Sequence, residues 1–196
     1  DAHNPIATPD VPGQNPLAHR PWLKNYSPGV AVDVHLSETS LSHLIDDAVR
    51  EVPHKVALEF FGATTTYAEL GSQIDRAAEG LRLAGVQAGD RGALILPNCP
   101  QHIVAFYAIL RLGAIVVEHN PLYTGAELRH MFEDHGAKAA IVWDKISGHI
   151  TGLPDDIRPA HIYAVNLIKA MPVLTRAALK LPVKKARESR EKLEGA

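Results

Sequence analysis

The stretch RGALILPNCPQHIVAFYAILRLGAIVVEHNPLYTGAELRHMFEDHGAKAAIVW, residues 91–143, alternates short apolar runs with helical patterns. The apolar runs are residues 91–96, 114–117 and 138–143. Between them, helices are predicted to begin at Pro100 and Thr124 and to end at Gly113 and Gly136. Continuous apolar runs are typical of parallel strands that are covered on both faces. The stretch therefore predicts an α/β fold, a three-layer, mostly parallel sheet with flanking helices built from right-handed βαβ units.

The same alternation extends to both sides of this stretch. Upstream, a helix is predicted between Thr39 and Pro53, and the apolar run 56–61 predicts a strand. Downstream, residues 145–160 have the composition of a loop with one weak turn, and residues 161–167 are the last predicted strand. We predict three parts along the chain: an extended Pro-rich arm at 1–35, an α/β subdomain at 36–168 and a basic amphipathic helical tail at 169–196.

Two predicted helix starts carry the T-x-x-E pattern of a capping box, Thr66 with Glu69 and Thr124 with Glu127. In this motif the hydroxyl accepts a hydrogen bond from the third helical amide, and the carboxylate accepts one from the amide of the cap residue. The helix after Thr66 is predicted to bury Leu70, Ile74, Ala77, Ala78 and Leu81. The helix after Pro100 is predicted to turn Ile103, Phe106, Tyr107 and Leu110 inward.

The first 35 residues contain six prolines, which is too many for a helix or a central strand. We therefore predict an extended arm. Its apolar side chains Trp22, Leu23 and Tyr26 are predicted to dock either on the arm's own domain or on a second copy of the chain. The second alternative would make a homodimer through the N-terminal arm.

Composition excludes several classes of protein. The 196 residues are enough for one domain with a sizeable core, and 46% of them are hydrophobic. The net charge of −2 argues against a nucleic-acid binder. Cys99 is the one cysteine, which excludes an intramolecular disulfide and a four-cysteine zinc site. No apolar run reaches the roughly 18 residues of a spanning helix and no secretory signal is recognisable, so we expect a cytoplasmic protein.

Positive charge is concentrated at the end of the chain. Residues 1–168 carry 12 basic and 19 acidic side chains, whereas residues 169–196 carry 8 basic and 3 acidic ones. Apolar residues between 167 and 181 can line one side of a short helix that is broken at Pro172 and Pro182. Such a segment can bind the inner membrane peripherally or a partner, and it can equally be a solvated helix that leads to more protein. The candidate patch residues are Lys180, Lys184, Lys185, Arg187 and Arg190.

The sequence contains no recognisable catalytic motif. The chain contains no G-x-x-x-x-G-K-[ST] or G-x-G-x-x-G phosphate loop, no H-E-x-x-H and no G-x-S-x-G. Its eleven histidines show no ligand spacing. Cys99 lies three residues before His102 at a predicted helix start, and we interpret it as a small buried thiol rather than a reactive one. We therefore name no catalytic, cofactor-binding or metal-binding residue.

Four stretches, in this order, resemble the amino-terminal region of the adenylate-forming acyl-CoA synthetases, in particular their long-chain fatty acid branch. The stretches are RPWLKNY (20–26), TTYAEL (65–70), GDRGALILPN (89–98) and LRLGAIVVEHNPLYT (110–124). The second and fourth are similar to core motifs of that family, T-Y-x-E-L and a segment that ends in N-P-L-Y-T. The resemblance runs from about residue 20 to 144, and the tail is similar to an insert in some actinobacterial members.

This resemblance implies the N-terminal portion of an ATP-dependent fatty acid–CoA ligase. Such enzymes use ATP and Mg to convert a fatty acid into an acyl-adenylate and pyrophosphate, and the thiol of CoA then displaces AMP. The family's phosphate loop and catalytic lysine lie beyond residue 196, so the chain by itself is expected to be inactive and to bind none of these cofactors tightly. Two alternatives stay open: part of a fatty acyl-AMP ligase, and a non-catalytic module that binds a membrane or partner through the basic tail.

Overall fold

The computed structural model describes residues 20–33 and 38–193, and the chain divides into two compact units between Glu38 and Thr39. In the first unit, Pro21–Asn25 forms a 3-10 turn, and the Arg20 guanidinium contacts the Asp33 carboxylate. The predicted arm is therefore not extended at this point, because a proline φ also suits the first residue of a helical turn. Four of the arm's prolines lie outside the described residues, and docking of the arm and a homodimer through it stay predictions.

The second unit contains seven α-helices and six strands within residues 39–193. They are α1 (Leu41–Glu51), β1 (Val56–Phe60), β2 (Ala63–Thr66), α2 (Tyr67–Leu83), β3 (Arg91–Ile95), α3 (Pro100–Arg111), β4 (Ile115–Glu118), α4 (Gly125–His135), β5 (Ala139–Trp143), α5 (Ser147–Thr151), β6 (His161–Val165), α6 (Val173–Leu179) and α7 (Lys184–Leu193). Two 3-10 turns, Asp144–Ile146 and Leu167–Ala170, follow β5 and β6.

Four strands form one parallel sheet in the order β4-β3-β5-β6. Leu94 and Ile141 face α2 and α3, whereas Ala93 and Ala140 face α4 and α5, so each face of the sheet has its own core. Phe132 of α4 lies fully buried in the second core. Helices on both faces of a parallel sheet make three layers, which confirms the predicted fold class.

Both predicted capping boxes are present. The Thr66 hydroxyl accepts from the amide of Glu69, and the Glu69 carboxylate accepts from the amide of Thr66 at 2.8 Å. Thr124 and Glu127 repeat these contacts at the start of α4. The C-terminus of α4 is Gly136, with φ of 54°, a left-handed conformation that glycine adopts at little cost.

The region before β3 differs from the prediction in one element. The predicted strand over 56–61 ends at Phe60, and Phe61 and Gly62 form a turn with φ of 51° and 85°. The chain then returns as β2, antiparallel to β1. The sequence did not indicate β2 because Ala63–Thr66 is short, polar and directly followed by a helix.

Two further differences concern helices. Residues 145–160 were predicted as a loop with one weak turn, and within them the five residues of α5 form a short helix, where Ile150 is fully buried against the second core. In α3, the most buried residues are Ala105, Ala108 and Ile109 rather than the four predicted ones. The helix packs on the sheet, on α2 and on β1, and it is therefore apolar around most of its circumference. Small side chains such as Ala105 and Ala108 allow close contact with these elements.

Candidate functional site

All four parallel strands end at one edge of the sheet, which is where open α/β sheets bind their ligands. The chain runs from β3 to β4 on one side and then crosses to β5 on the other, so the strand order reverses between β3 and β5. A ligand crevice is expected at such a reversal. Here it would lie between the loop 96–99, after β3, and Asp144, after β5. We call this region the carboxyl edge.

The side chains of His102 and Glu118 are in contact at the carboxyl edge. His102 lies in the first turn of α3, and its Nε2 is 2.7 Å from Oε1 of Glu118, the last residue of β4. Its Nδ1 is 3.3 Å from the main-chain carbonyl oxygen of Leu96. The imidazole thus joins the ends of β3 and β4.

Asp144 and Asn166 hold the ends of β5 and β6 together. The Asn166 side-chain amide donates to Oδ2 of Asp144 at 2.9 Å, and its Oδ1 accepts from the amide of Ile168 at 3.0 Å. Gln101 of α3 donates to the main-chain carbonyl of Asn166 at 3.2 Å. Most polar atoms of this network have a hydrogen-bond partner within it. The exception is Oε1 of Gln101, which is buried and has no hydrogen-bond partner among the described residues.

A second histidine pair lies where β4 ends. His135 Nδ1 accepts from the amide of Ala137 at 3.0 Å, so the neutral ring carries its proton on Nε2. That proton is donated to Nε2 of His119 at 3.1 Å, which leaves the Nδ1 proton of His119 directed at the sulfur of Met131, 3.3 Å away. Burial lowers the pKa of both imidazoles, and it lowers that of His135 to about 4, helped by the neighbouring His119. The pair is neutral and belongs to the packed structure.

An apolar groove of about 310 Å³ lies over β5 and β6 beside α2 and α3. Its lining includes Ala77, Leu81, Val104, Ile141, Tyr163 and Val165. The polar residues in the lining are the amides Gln73 and Gln101. The groove can therefore hold apolar atoms near the buried side-chain oxygen of Gln101. Its lining contains no positively charged side chain that would bind a phosphate.

The carboxyl edge does not fit a bound nucleotide or metal by itself. Apart from Oε1 of Gln101, the polar side chains named above are engaged with one another or with the main chain, and the described residues contain no group of three His, Cys, Asp or Glu that could hold a metal ion. The loop 96–99 contains no lysine or glycine that would form a cradle for phosphates.

Cys99 precedes α3 in the same loop and is buried. Burial raises the pKa of its thiol, which keeps the reactive thiolate scarce at neutral pH. This agrees with the interpretation of Cys99 as a small buried thiol.

The five predicted patch residues lie at the end of α6 and on α7. Lys180 follows α6, and the other four are part of α7. Lys184 and Arg187 form i,i+4 ion pairs with glutamates at 3.8 and 3.7 Å. Arg190 instead donates to the main-chain carbonyl of Leu179 at 3.1 Å, which ties α7 to α6. The structure thus gives Arg190 an internal role and leaves the four other cations on the surface.

Two residues that the sequence did not single out fix the tail. The indole of Trp143 and the ammonium group of Lys145 donate to carbonyls at the C-terminus of α7. The ammonium group also lies 5.4 Å from the centre of the Trp143 ring. Sequence distance hides these contacts, because about 50 residues separate the partners. In the described parts of the chain, no helix combines the length and the hydropathy needed to cross a membrane.

The sequence model of the AMP-binding enzyme family matches residues 45–194, about three quarters of the chain. A long-chain-fatty-acid–CoA ligase of Bacillus subtilis is 34% identical over 127 residues, which are 65% of this chain and 23% of the relative. A ligase of the same name from Escherichia coli is 32% identical over 148 residues, 74% of this chain and 26% of the relative. The chain thus spans about a quarter of the length of these curated relatives.

Solved structures have the same fold. A putative long-chain-fatty-acid CoA ligase from Rhodopseudomonas palustris superposes with a TM-score of 0.62 at 23% identity, over 67% of this chain and 34% of that one. The ordered motifs, the three-layer fold and the family match agree along the chain. The chain therefore belongs to the AMP-binding enzyme family.

Proposed function

We propose that this chain is the first α/β subdomain of a fatty acid–CoA ligase. Such an enzyme joins a fatty acid to CoA through an acyl-adenylate, releasing pyrophosphate in the first step and AMP in the second. The observation that carries the proposal is the match of 127 residues, at 34% identity, to a ligase of that class. The agreement of fold with acyl-CoA ligases supports the same assignment.

In this proposal the matched motifs act as scaffold. Thr66 and Glu69 of the T-Y-x-E-L motif cap α2. In the N-P-L-Y-T motif, Oδ1 of Asn120 accepts from the amide of Leu122 at 2.9 Å, and Thr124 caps α4. These contacts fix the turn that follows β4 at the carboxyl edge. The motifs therefore position neighbouring segments, and we assign no catalytic step to their side chains.

A chimera tests the proposed function. In it, the segment of the Bacillus subtilis ligase that aligns with this chain is replaced by the corresponding residues of this chain. We expect ATP–pyrophosphate exchange that depends on palmitate, and palmitoyl-CoA formation when CoA is added. Benzoate and an amino acid serve as matched control substrates, because they test adenylation of other acid classes. A chimera that melts cooperatively and exchanges only with a control substrate would contradict the proposal.

The chain by itself is expected to give no exchange with palmitate. Its 196 residues contain no phosphate loop, and the carboxyl edge supplies no substitute for one. Exchange by the purified 196-residue chain would overturn this expectation. A fatty acyl-AMP ligase differs from a fatty acid–CoA ligase in the acceptor of the acyl group. The exchange assay with palmitate therefore addresses the class of acid, and the assay with CoA addresses the acceptor.

A further inference from the structure

The solvent-facing side of α6 is apolar along its whole length. Leu174 is 84% exposed and Val173 is 69% exposed. Two alanines continue this side one turn later, and the link to α7 adds two more exposed apolar side chains. We call this strip the α6 surface; its residues are Val173, Leu174, Ala177, Ala178, Leu181 and Val183. Contiguous exposed apolar residues of this kind mark an interaction surface.

The sequence that contains the α6 surface carries charges of one sign. No Asp or Glu occurs between Asp156 and Glu188, whereas that interval contains seven Lys and Arg. Lys180 lies within the sequence of the strip, Lys184 and Lys185 follow it directly, and all three are exposed. The first carboxylate beyond them, Glu188, is already paired with Lys184. An exposed apolar strip is therefore joined in sequence to exposed ammonium groups.

The rest of the protein holds the α6 surface in place. Immediately before α6, Leu167, Ile168 and Met171 are buried, which fixes the entry of the helix. After it, the hydrogen bond from Arg190 to the carbonyl of Leu179 ties α7 to the end of α6. The contacts of Trp143 and Lys145 then fix the far end of α7. The strip is thus presented before any ligand binds.

We propose that the α6 surface binds an anionic lipid bilayer. Leu174 and Val173 would enter the boundary between headgroups and acyl chains, and the flanking lysines would contact headgroup phosphates. The charge pattern favours lipid over protein, because lysine is depleted from the buried centres of protein interfaces but is attracted to anionic membranes. This inference does not depend on the proposed ligase activity.

Vesicle co-sedimentation of the 196-residue chain tests the charge requirement. We expect binding to phosphatidylcholine vesicles that contain 30 mol% phosphatidylglycerol, weaker binding to pure phosphatidylcholine, and loss of binding as salt is raised. Each basic residue near an anionic surface contributes about fivefold to the partition coefficient. The triple variant Lys180→Glu, Lys184→Glu, Lys185→Glu should therefore lose at least tenfold.

A matched control separates local charge from net charge. The variant Lys24→Glu, Lys55→Glu, Arg76→Glu changes the net charge by the same amount at exposed positions elsewhere. We expect it to retain more than half of the wild-type partition coefficient. Equal losses in the two triple variants would overturn the proposal, and so would a wild-type chain that does not sediment with anionic vesicles.

Insertion of the apolar strip is tested by tryptophan fluorescence with brominated lipid as the quencher. In Leu174→Trp, we expect a blue shift and strong quenching in anionic vesicles. Leu122→Trp is the control, since Leu122 is 80% exposed but lies outside the α6 surface. An unquenched Leu174→Trp would overturn the proposal. If that result came with self-association that Leu174→Ser abolishes, a second copy of the chain would be the occupant instead.

Discussion

The indole Nε1 of Trp143 donates a hydrogen bond of 2.8 Å to the main-chain carbonyl of Leu193, 50 residues further along the chain. Trp143 ends β5, and Leu193 ends α7. Lys145 donates to the carbonyl of Glu191 at 3.0 Å. The last carbonyls of a helix have no partner within the helix and carry a partial negative charge. The indole and the ammonium group donate hydrogen bonds to these carbonyls. The body of the protein thus caps the tail helix.

Trp143→Phe should release the tail without unfolding the body. The substitution keeps an aromatic ring in the core but removes the indole donor, a loss of about 1 kcal/mol. We expect trypsin to cleave α7 severalfold faster at its lysines and arginines, with the rate measured by mass spectrometry. Trp22→Phe, in the arm, is the control and should leave cleavage of α7 unchanged. Equal cleavage rates in wild type and Trp143→Phe would show that the bond does not hold the tail.

The capping boxes should each stabilise the fold measurably. Removal of an N-cap hydroxyl costs about 1 kcal/mol, so Thr66→Ala and Thr124→Ala should each lower the free energy of unfolding in urea by about that amount. Thr64→Ala removes an exposed hydroxyl two residues away and should have a much smaller effect. If Thr64→Ala were as destabilising as Thr66→Ala, the hydroxyl contact at the cap would not be the cause.

The histidine pair should make stability depend on pH between about 6.5 and 4. In the unfolded chain His135 gains its proton near 6.5, whereas in the folded protein its pKa is about 4. Between these values the unfolded state binds more protons, so the free energy of unfolding falls as the pH is lowered. Above pH 6.5 this effect is absent.

His135→Gln tests that linkage. We expect a shallower decline in the free energy of unfolding from pH 7 to pH 4.5, whatever the variant's stability at pH 7. His130→Gln is the matched control, because His130 is exposed on the same helix. A decline in His135→Gln as steep as in wild type and in the control would assign the pH dependence to other groups.

Arg111 should contribute more to stability than an ordinary surface cation. Its guanidinium, 26% exposed, contacts both Asp46 of α1 and Asp75 of α2, so one side chain joins three helices. We expect Arg111→Gln to lower the free energy of unfolding by about 1.5–3 kcal/mol, since hydrogen bonds to charged groups contribute in this range. Arg82→Gln breaks an exposed pair within one helix and should cost under about 0.5 kcal/mol. Equal effects of the two substitutions in urea unfolding would reject the tertiary role of Arg111.

Cys99 should report unfolding of the core around α3. The thiol is buried and its pKa is raised by burial, so a disulfide reagent should react with native protein only as fast as the structure opens. We expect the reaction in urea to follow the unfolding transition. A Leu122→Cys variant supplies an exposed thiol and should react at once. Fast labelling of Cys99 in the folded protein would mean that the loop 96–99 opens locally.

The sequence was most informative where a local pattern determines the structure. The capping boxes at Thr66 and Thr124 could be recognised because their partners are three residues apart. The parallel strands could be recognised because apolar runs such as Ala139–Trp143 have to be covered on both faces. The fold class follows from these local features and their order along the chain.

Elements that depend on tertiary contacts could not be predicted in this way. The strand β2 is polar and forms only because β1 pairs with it, and α5 depends on burial of Ile150. At the carboxyl edge, His102 meets Glu118 across 16 residues, and the same separation divides His119 from His135. A separation of 16 residues does not correspond to any repeating pattern in the sequence. These pairs are therefore recognised only in the folded structure.

The register of the central strands also sets the order of assembly during synthesis. Ala93 pairs with Ala140, 47 residues later, and residues of β3 and β5 contribute to both cores. Neither core can therefore close until the ribosome has released residue 143 or so, although β1, β2 and α2 can form earlier. Non-local parallel pairing is slow for the same reason, because a long loop has to be ordered first. Until β5 is made, β3 lacks the neighbour on one of its two edges and both cores stay open, which is the interval in which chaperone binding would matter most.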